Sequence, residues 1–428
     1  MRYGTLAYKF GEDAMTEVFV LGAGMTPFGR FLDKSVKDLT REAVTEALND
    51  AGLQTGDVEA AWFSNTTQGV LEGQYLVPGE FALRDMGFEG IPMANVENAC
   101  ASASTAFNMA QMAIKAGMCD IALAVGADKM YHADKARSFE IFDGAVDVHE
   151  REATFARINA LGDGVEEPAD AVIPNSQRSP FMDVYANWAK FHMKMFGTTQ
   201  EHLAHVASKN HFHSTLNPRS QYRDDISVEA VLGARLISWP LTLPMCSPIS
   251  DGAAAAILVS ERKARELGLG RAVRVAASVM GTSVNREPDD VENHITRRAA
   301  KKAYDMAGIG ADAIDLAEVH DATAMGEVQQ VENLGLVPFG DGGPAAMRGE
   351  TRLGGRVPVN PSGGLESKGH PIGATGLGQI HELVTQLRGE AGARQVEGAR
   401  HAVAENGGGV YRFEEATCAI TVLAAPGN

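Results

Sequence analysis

Ala47-Leu48-Asn49-Asp50-Ala51-Gly52-Leu53 aligns without a gap on Ala303-Tyr304-Asp305-Met306-Ala307-Gly308-Ile309. The apolar residues before the first glycine, Val36, Leu39, Ala43, Ala47, Leu48 and Ala51, fall on one helical stripe. Ile295, Ala299, Ala303, Tyr304 and Ala307 repeat that stripe. Ser35 with Asp38 three residues on predicts the helix start, and each glycine predicts its end. A mostly apolar run follows each glycine, Val58 to Phe63 and Ile314 to Val319, and reads as a largely buried strand. At the same offset Ser64 falls opposite His320. The chain is therefore read as a duplication.

A second pair extends it: Cys100-Ala101-Ser102-Ala103-Ser104-Thr105-Ala106-Phe107 against His370-Pro371-Ile372-Gly373-Ala374-Thr375-Gly376-Leu377. Cysteine and histidine hold equivalent places, each opening a run of small residues with helical length behind it. If the halves pack about a pseudo-twofold axis, both helix starts face one central region. Strands are expected again at Ile121 to Val125 and His401 to Ala404, then at Ala253 to Val259 and Ala416 to Leu423. Each half is thus an α/β unit. Between its last two strands the first half carries a far longer connection, containing a helix over Tyr185 to Phe196; an insertion of that size is usually a lid or binding domain. The expected domains are 1–130 with 246–268, an inserted loop domain at 131–245, and 269–428.

Composition narrows the function. The 428 residues include 45% hydrophobic and 22% charged, an ordinary globular balance. Against 38 Lys+Arg stand 55 Asp+Glu, and a net charge of -17 disfavours nucleic acid and anionic membrane surfaces. Cys100, Cys119, Cys246 and Cys418 are too sparse for a disulfide framework and form no CxxC metal pair, so a reducing, cytoplasmic setting and no metal are expected. No apolar run reaches the roughly 18 residues of a membrane span. Met1 to Met15 lacks a signal-peptide pattern and reads as an extension.

The chemistry is expected at the paired helix tips. Cys100, at a helix start, is a candidate nucleophile, since the N-terminal N–H groups favour a thiolate; a lone cysteine also reads as a small buried hydrophobe. His370, its repeat partner, supplies a base and shifts the balance. His320, at the end of a buried strand, reads as a hydrogen-bond donor rather than a metal ligand. Asn406-Gly407-Gly408-Gly409 is read as a loop whose bare N–H groups suit an oxyanion. Glu405 before it is a solvated loop charge, or a base if it lies beside a buried thioester. The other cysteines read as structural.

These residues resemble the thiolase superfamily over nearly the whole chain. The resemblance rests on Met25-Thr26-Pro27-Phe28-Gly29-Arg30-Phe31, Asn98-Ala99-Cys100-Ala101-Ser102, Ser250-Asp251-Gly252-Ala253-Ala254-Ala255 and Asn360-Pro361-Ser362-Gly363-Gly364-Leu365-Glu366-Ser367-Lys368-Gly369-His370-Pro371-Ile372-Gly373-Ala374-Thr375-Gly376. His320-Asp321 points to the branch of sterol-carrier-protein thiolases and archaeal acetoacetyl-CoA thiolases. The resemblance implies a five-layered αβαβα fold, coenzyme A thioesters as substrates with no permanently bound cofactor, and a homodimer or dimer of dimers. It implies that Cys100 is acylated, that His370 takes its proton, and that His320 holds the thioester oxygen of the second substrate. The Cys100 N–H with that of Gly407, or of Gly408 in a register slipped by one, would hold the tetrahedral oxyanion. Ser247, Lys209, Arg219 and Arg223 are the substrate-binding expectations.

One departure matters: the two places where the family carries its second, acid/base cysteine hold Glu405 (Asn406 in the slipped register) and Ala322. The expected function is an acyl-CoA C-acyltransferase of the acetyl-CoA acetyltransferase or 3-ketoacyl-CoA thiolase type. Glu405, or a water on Asn406, would replace the thiol. Alternatives are a single-cysteine acyltransferase or condensing enzyme, and a CoA- or lipid-binding protein that acts with a small OB-fold subunit.

Overall fold

The computed structural model describes residues 16–169, 171, 173, 180–268 and 270–427; the extension expected at Met1 to Met15 lies outside them. Helix α1, Val36–Ala51, starts on Ser35 with the capping box to Asp38 and ends on left-handed Gly52. Its repeat α5, Ile295–Ala307, ends on left-handed Gly308 but starts on His294, whose side chain accepts the Thr296 N–H.

Among the described residues eleven strands follow in chain order: β1 Val18–Met25, β2 Ala60–Ser64, β3 Met93–Val96, β4 Ile121–Lys129, β5 Leu236–Ser238, β6 Leu241–Thr242, β7 Asp251–Ser260, β8 Val273–Thr282, β9 Leu316–Glu318, β10 His401–Gly408 and β11 Thr417–Ala424. Nine form one array in the order β3-β2-β4-β7-β1-β8-β11-β10-β9, and β5-β6 is a separate hairpin. The duplication is visible in that order, because β2-β4-β7-β1 is mirrored by β8-β11-β10-β9. The fifth position of the second half is held by a parallel bridge, Ala317 to Val359. The halves meet where β1 and β8 pair antiparallel through Phe19–Arg274 and Val20–Val273.

Two helices, α2 at Ser102–Lys115 and α7 at Thr375–Leu387, lie between the halves. Ala103, Ala106 and Phe107 of α2 and Leu377, Ile380 and Leu383 of α7 share one apolar cluster with Ala122, Leu258, Val275 and Leu423 from both sheet halves. Helix α1 packs on the outer face of the first half with Phe63, Leu123 and Ile257. Helix α5 packs on the outer face of the second with Val403, Ile420 and Val422. Helix, half-sheet, helix pair, half-sheet, helix is the five-layered α/β arrangement.

The long connection builds its own cluster from α3 (Pro180–Phe196) and α4 (Gln200–Thr215), with Val184, Tyr185, Trp188, Leu203 and Val206 packed against Met325 and Val328 of α6 (Ala324–Asn333). Strand β10 corrects the sequence reading. It runs through Gly408, so Glu405 and Asn406 are ladder residues paired with Ile420 and Ala419, fully buried rather than set in a solvated loop. Gly407 and Gly408 hid the end of the strand, because they carry no side chain to register as apolar.

Candidate active site

Cys100, buried, sits just before the first turn of α2. The turn that presents it is strained: Ala99, with a Cβ, is held at φ 48. The Asn98 N–H donates to Ser102 Oγ and the Ala101 N–H to Asn98 O, which pins the turn to the helix it starts.

His370 precedes α7 and is held on three sides. Its N–H donates to Ser250 Oγ at 3.0 Å, and the following turn is tied down by the Gly373 N–H donating to Asp128. Its ring Nδ1 lies 2.6 Å from Thr375 Oγ1, whose own proton goes to Pro371 O at 2.9 Å. Since that hydroxyl has no second proton to give, Nδ1 must carry the hydrogen and Nε2 keeps a free lone pair.

His320 ends the run that continues β9. Its N–H donates to Glu405 Oε2 at 2.9 Å. Asp321 accepts the Leu365 N–H at 2.7 Å, and Glu318 takes both Ser362 and, at 3.1 Å, Lys368. The segment leading to His370 is thereby fastened to the strand leading to His320.

These anchors bring three groups together. The Cys100 sulfur and ring nitrogens of His320 and His370 lie within 4.8 Å of one another, and the two rings meet edge-on with centroids 5.3 Å apart. Both nitrogens of the buried His320 ring lack a hydrogen-bond partner among the described residues. A buried imidazole left open in this way is a donor awaiting a ligand oxygen.

Electrostatics revise the sequence reading. Burial, with Glu97 and Asp128 nearby, pushes the Cys100 thiol up to about 12, so the helix start does not yield a resting thiolate. Burial brings His320 down to about 4, and burial, with His320 and Lys368 beside it, holds His370 well below the usual histidine range. Both imidazoles are neutral at pH 7. Burial thus favours the neutral thiol and neutral imidazole over a resting thiolate-imidazolium pair. The same three side chains have metal-ligand chemistry, but a metal must displace the thiol proton that this burial retains.

The other expected residues divide. A Cβ on Gly408 would lie 3.1 Å from Cys100 N and 2.3 Å from Asn98 O, so this glycine backs directly onto the cysteine turn. Gly407 faces away, against Glu415. Asn406 Oδ1 accepts from Ser104 Oγ at 3.0 Å while its Nδ2 is buried without a partner. Glu405 is occupied by the His320 N–H and, at 3.7 Å, the Cys418 thiol; burial and Glu415 push it up to about 8. Ser247 is half-buried, its N–H donating to Ala322 O.

Two of the expected phosphate-binding cations are committed elsewhere, which the sequence reading did not foresee. Lys209 is buried on Glu327 at 2.8 Å, and Arg219 binds Glu46 and Met25 O. Arg223 is exposed.

Sequence reasoning missed Thr375, whose signal was its place five residues after His370. It also missed the buried Tyr185, whose phenol is pushed up by burial and by Cys100, Glu415 and Glu405. Nothing local marks Tyr185, because only the folded insertion carries it to the site.

A duplicated layered α/β fold thus gathers one cysteine and two histidines at a single buried centre. The thiolase N-terminal domain model matches residues 18–233, and the thiolase C-terminal domain-like model matches residues 276–421. The chain belongs to the thiolase family. It is 38% identical to an acetyl-CoA acetyltransferase of Methanothermobacter thermautotrophicus over 92% of this chain and 97% of that one. Human sterol carrier protein 2 is 38% identical over 92% of this chain and 70% of its own length. The benzoylsuccinyl-CoA thiolase subunit BbsB of Thauera aromatica is 34% identical over 89% and 91%. Among solved structures, the Ltp2-ChsH2(DUF35) aldolase superposes with TM-score 0.74 at 22% identity, covering 96% of this chain and 99% of that one.

Proposed function

We propose that the protein is a thiolase-type acyl-CoA C-acyltransferase working through an acyl-Cys100 intermediate. The observation that carries this reading is the convergence within 4.8 Å of Cys100, His370 with its Nδ1 on Thr375, and His320, whose ring nitrogens have no partner among the described residues. Cys100 attacks the thioester carbonyl as His370 Nε2 takes its proton, and coenzyme A leaves. The oxyanion formed is held by the Cys100 N–H and by the glycine run, Gly408 being the member against the cysteine turn. His320 donates to the thioester oxygen of the second substrate as its enolate develops.

The proton on the α-carbon is exchanged with a group that is not a thiol. Glu405 and a water on Asn406 are the sequence-derived assignments; the first already holds the His320 N–H. Residues 131–245 are assigned as the coenzyme A-binding loop domain, with the exposed Arg223 inside it and Ser247 just past its end. Coenzyme A comes and goes as substrate and no cofactor is permanently bound. The protein acts in the cytoplasm as a homodimer or dimer of dimers. A small OB-fold subunit as partner is supported by the two-component name of the aldolase relative and the subunit name of BbsB. No described helix is long and apolar enough to cross a membrane.

The test is thiolysis of acetoacetyl-CoA by added coenzyme A. Cleavage lost in Cys100→Ala is expected. Failure of the wild type to cleave any 3-ketoacyl-CoA would overturn the thiolase activity, leaving a single-cysteine acyltransferase or a binding protein.

A further inference from the structure

The stretch after α4 returns to the site. The Gln221 N–H donates to Lys368 O and the Tyr222 N–H to Ser367 O, both at 3.0 Å, so this stretch runs along the segment that leads into His370. The Gln221 side chain reaches the opposite flank. Its Oε1 accepts from Ser250 Oγ at 2.7 Å, and its Nε2 donates to Ile249 O at 3.3 Å. Ser250 Oγ in turn accepts the His370 N–H at 3.0 Å. The bonds run one way, from the His370 N–H to the Ser250 hydroxyl to the Gln221 amide oxygen, because a hydroxyl has a single proton to give.

These groups are packed without slack. A Cβ on Gly369 would lie 2.8 Å from Ser250 Oγ and 3.3 Å from Gln221 Oε1, so the backbone entering His370 rides directly on the pair. Ile249 and His370 form a parallel bridge, and Ile249 packs against the cluster of Cys100, Met130 and Ile372. A shift of residues 249 and 250 is therefore felt at the base and at the nucleophile together.

We infer that Gln221 is a positioning residue for the base. Acting through Ser250, it holds the His370 main chain where the ring nitrogens stand within 4.8 Å of the Cys100 sulfur, so the long connection sets the geometry of the acylation step. This rests on the acyl-Cys100 reading above. Thr375 fixes the His370 ring, and the Gln221–Ser250 pair fixes the backbone from which that ring projects. Without the Gln221 amide the Ser250 proton turns to Pro248 O, 3.1 Å away. The hydroxyl then stays satisfied while its hold on the His370 N–H is re-aimed, and a reacting group misplaced by about 1 Å loses up to about 10²-fold in rate.

The experiment follows Cys100 acylation by mass over a range of acetyl-CoA concentrations in wild type, Gln221→Met, Ser250→Ala and the double variant. Methionine keeps the length of the side chain and removes both amide groups. Expected in each variant is a maximal acylation rate about 10- to 100-fold lower. The half-saturating acetyl-CoA concentration should stay within about 3-fold of wild type, and every Cys100 should be acylated at the end point. The double variant should match Ser250→Ala within about 2-fold, because the two residues act through one chain. Effects that multiply in the double variant overturn the inference, as does a wild-type maximal rate in Gln221→Met. A raised half-saturating concentration with an unchanged maximal rate overturns it in favour of a coenzyme A contact. A reduced end point with an unchanged rate overturns it in favour of a purely structural role. Absence of acylation in the wild type overturns the acyl-Cys100 reading and this inference with it. Should Gln221→Met fail to fold, Gln221→Ala is held to the same expectations.

Discussion

Thr375→Val tests how the base is made. The hydroxyl of Thr375 accepts from His370 Nδ1 at 2.6 Å and donates to Pro371 O at 2.9 Å, and this pair fixes which ring nitrogen carries the hydrogen. Valine keeps the shape and removes the oxygen. The Nδ1–H is then a buried donor without an acceptor, which costs about 1 to 3 kcal/mol. The ring either bears that cost or shifts its proton to Nε2, where it cannot take the Cys100 proton. Both outcomes slow acylation, by about 5- to 150-fold at 1.4 kcal/mol per decade. Rapid-quench mass measurement of acyl-Cys100 formation from acetyl-CoA reads this directly, with Thr375→Ser restoring the rate. An unchanged rate in Thr375→Val would refute the tautomer argument.

Three further outcomes follow from the same geometry. Gly408→Ala puts a Cβ 2.3 Å from Asn98 O, so the cysteine turn must move; thermal unfolding should drop and Cys100 acylation should fall below detection. Because the Cys100 thiol sits near 12, its alkylation by iodoacetamide should keep rising from pH 7 to 9 with no plateau, and a midpoint below pH 8 would contradict the buried-thiol account. Glu405 retains its proton up to about 8 when folded but ionises near the ordinary carboxylate value of 4.5 when unfolded, so it lowers stability as pH rises through that window. Glu405→Gln should therefore lose less stability than wild type between pH 5 and 8 in denaturant titrations, by on the order of 4 kcal/mol, and parallel curves would refute the assignment.

The duplication was legible because helices α1 and α5 carry their stripes, caps and terminal glycines locally, and the place of Cys100 opposite His370 followed from that alignment. The family resemblance added the roles of His320 and the glycine run. What escaped was set by distant packing. The pairing of Glu405 with Ile420 buries a carboxyl group that reads as a solvated charge in the sequence. Lys209 looks like a phosphate ligand until Glu327, from another helix, reaches it. The thiol's state at Cys100 depends on Glu97, Asp128 and desolvation together, and the helix start alone predicts the opposite sign. Gln221 meets Ser250 only once the long connection has folded, and nothing in its own stretch marks it.

Incubation with acetyl-CoA or acetoacetyl-CoA followed by intact-mass and peptide analysis tests the central claim most directly. An acyl mass gain on the peptide bearing Cys100, absent in Cys100→Ala and discharged by added coenzyme A, is the predicted result. An unmodified Cys100 with every acyl-CoA offered would contradict the account.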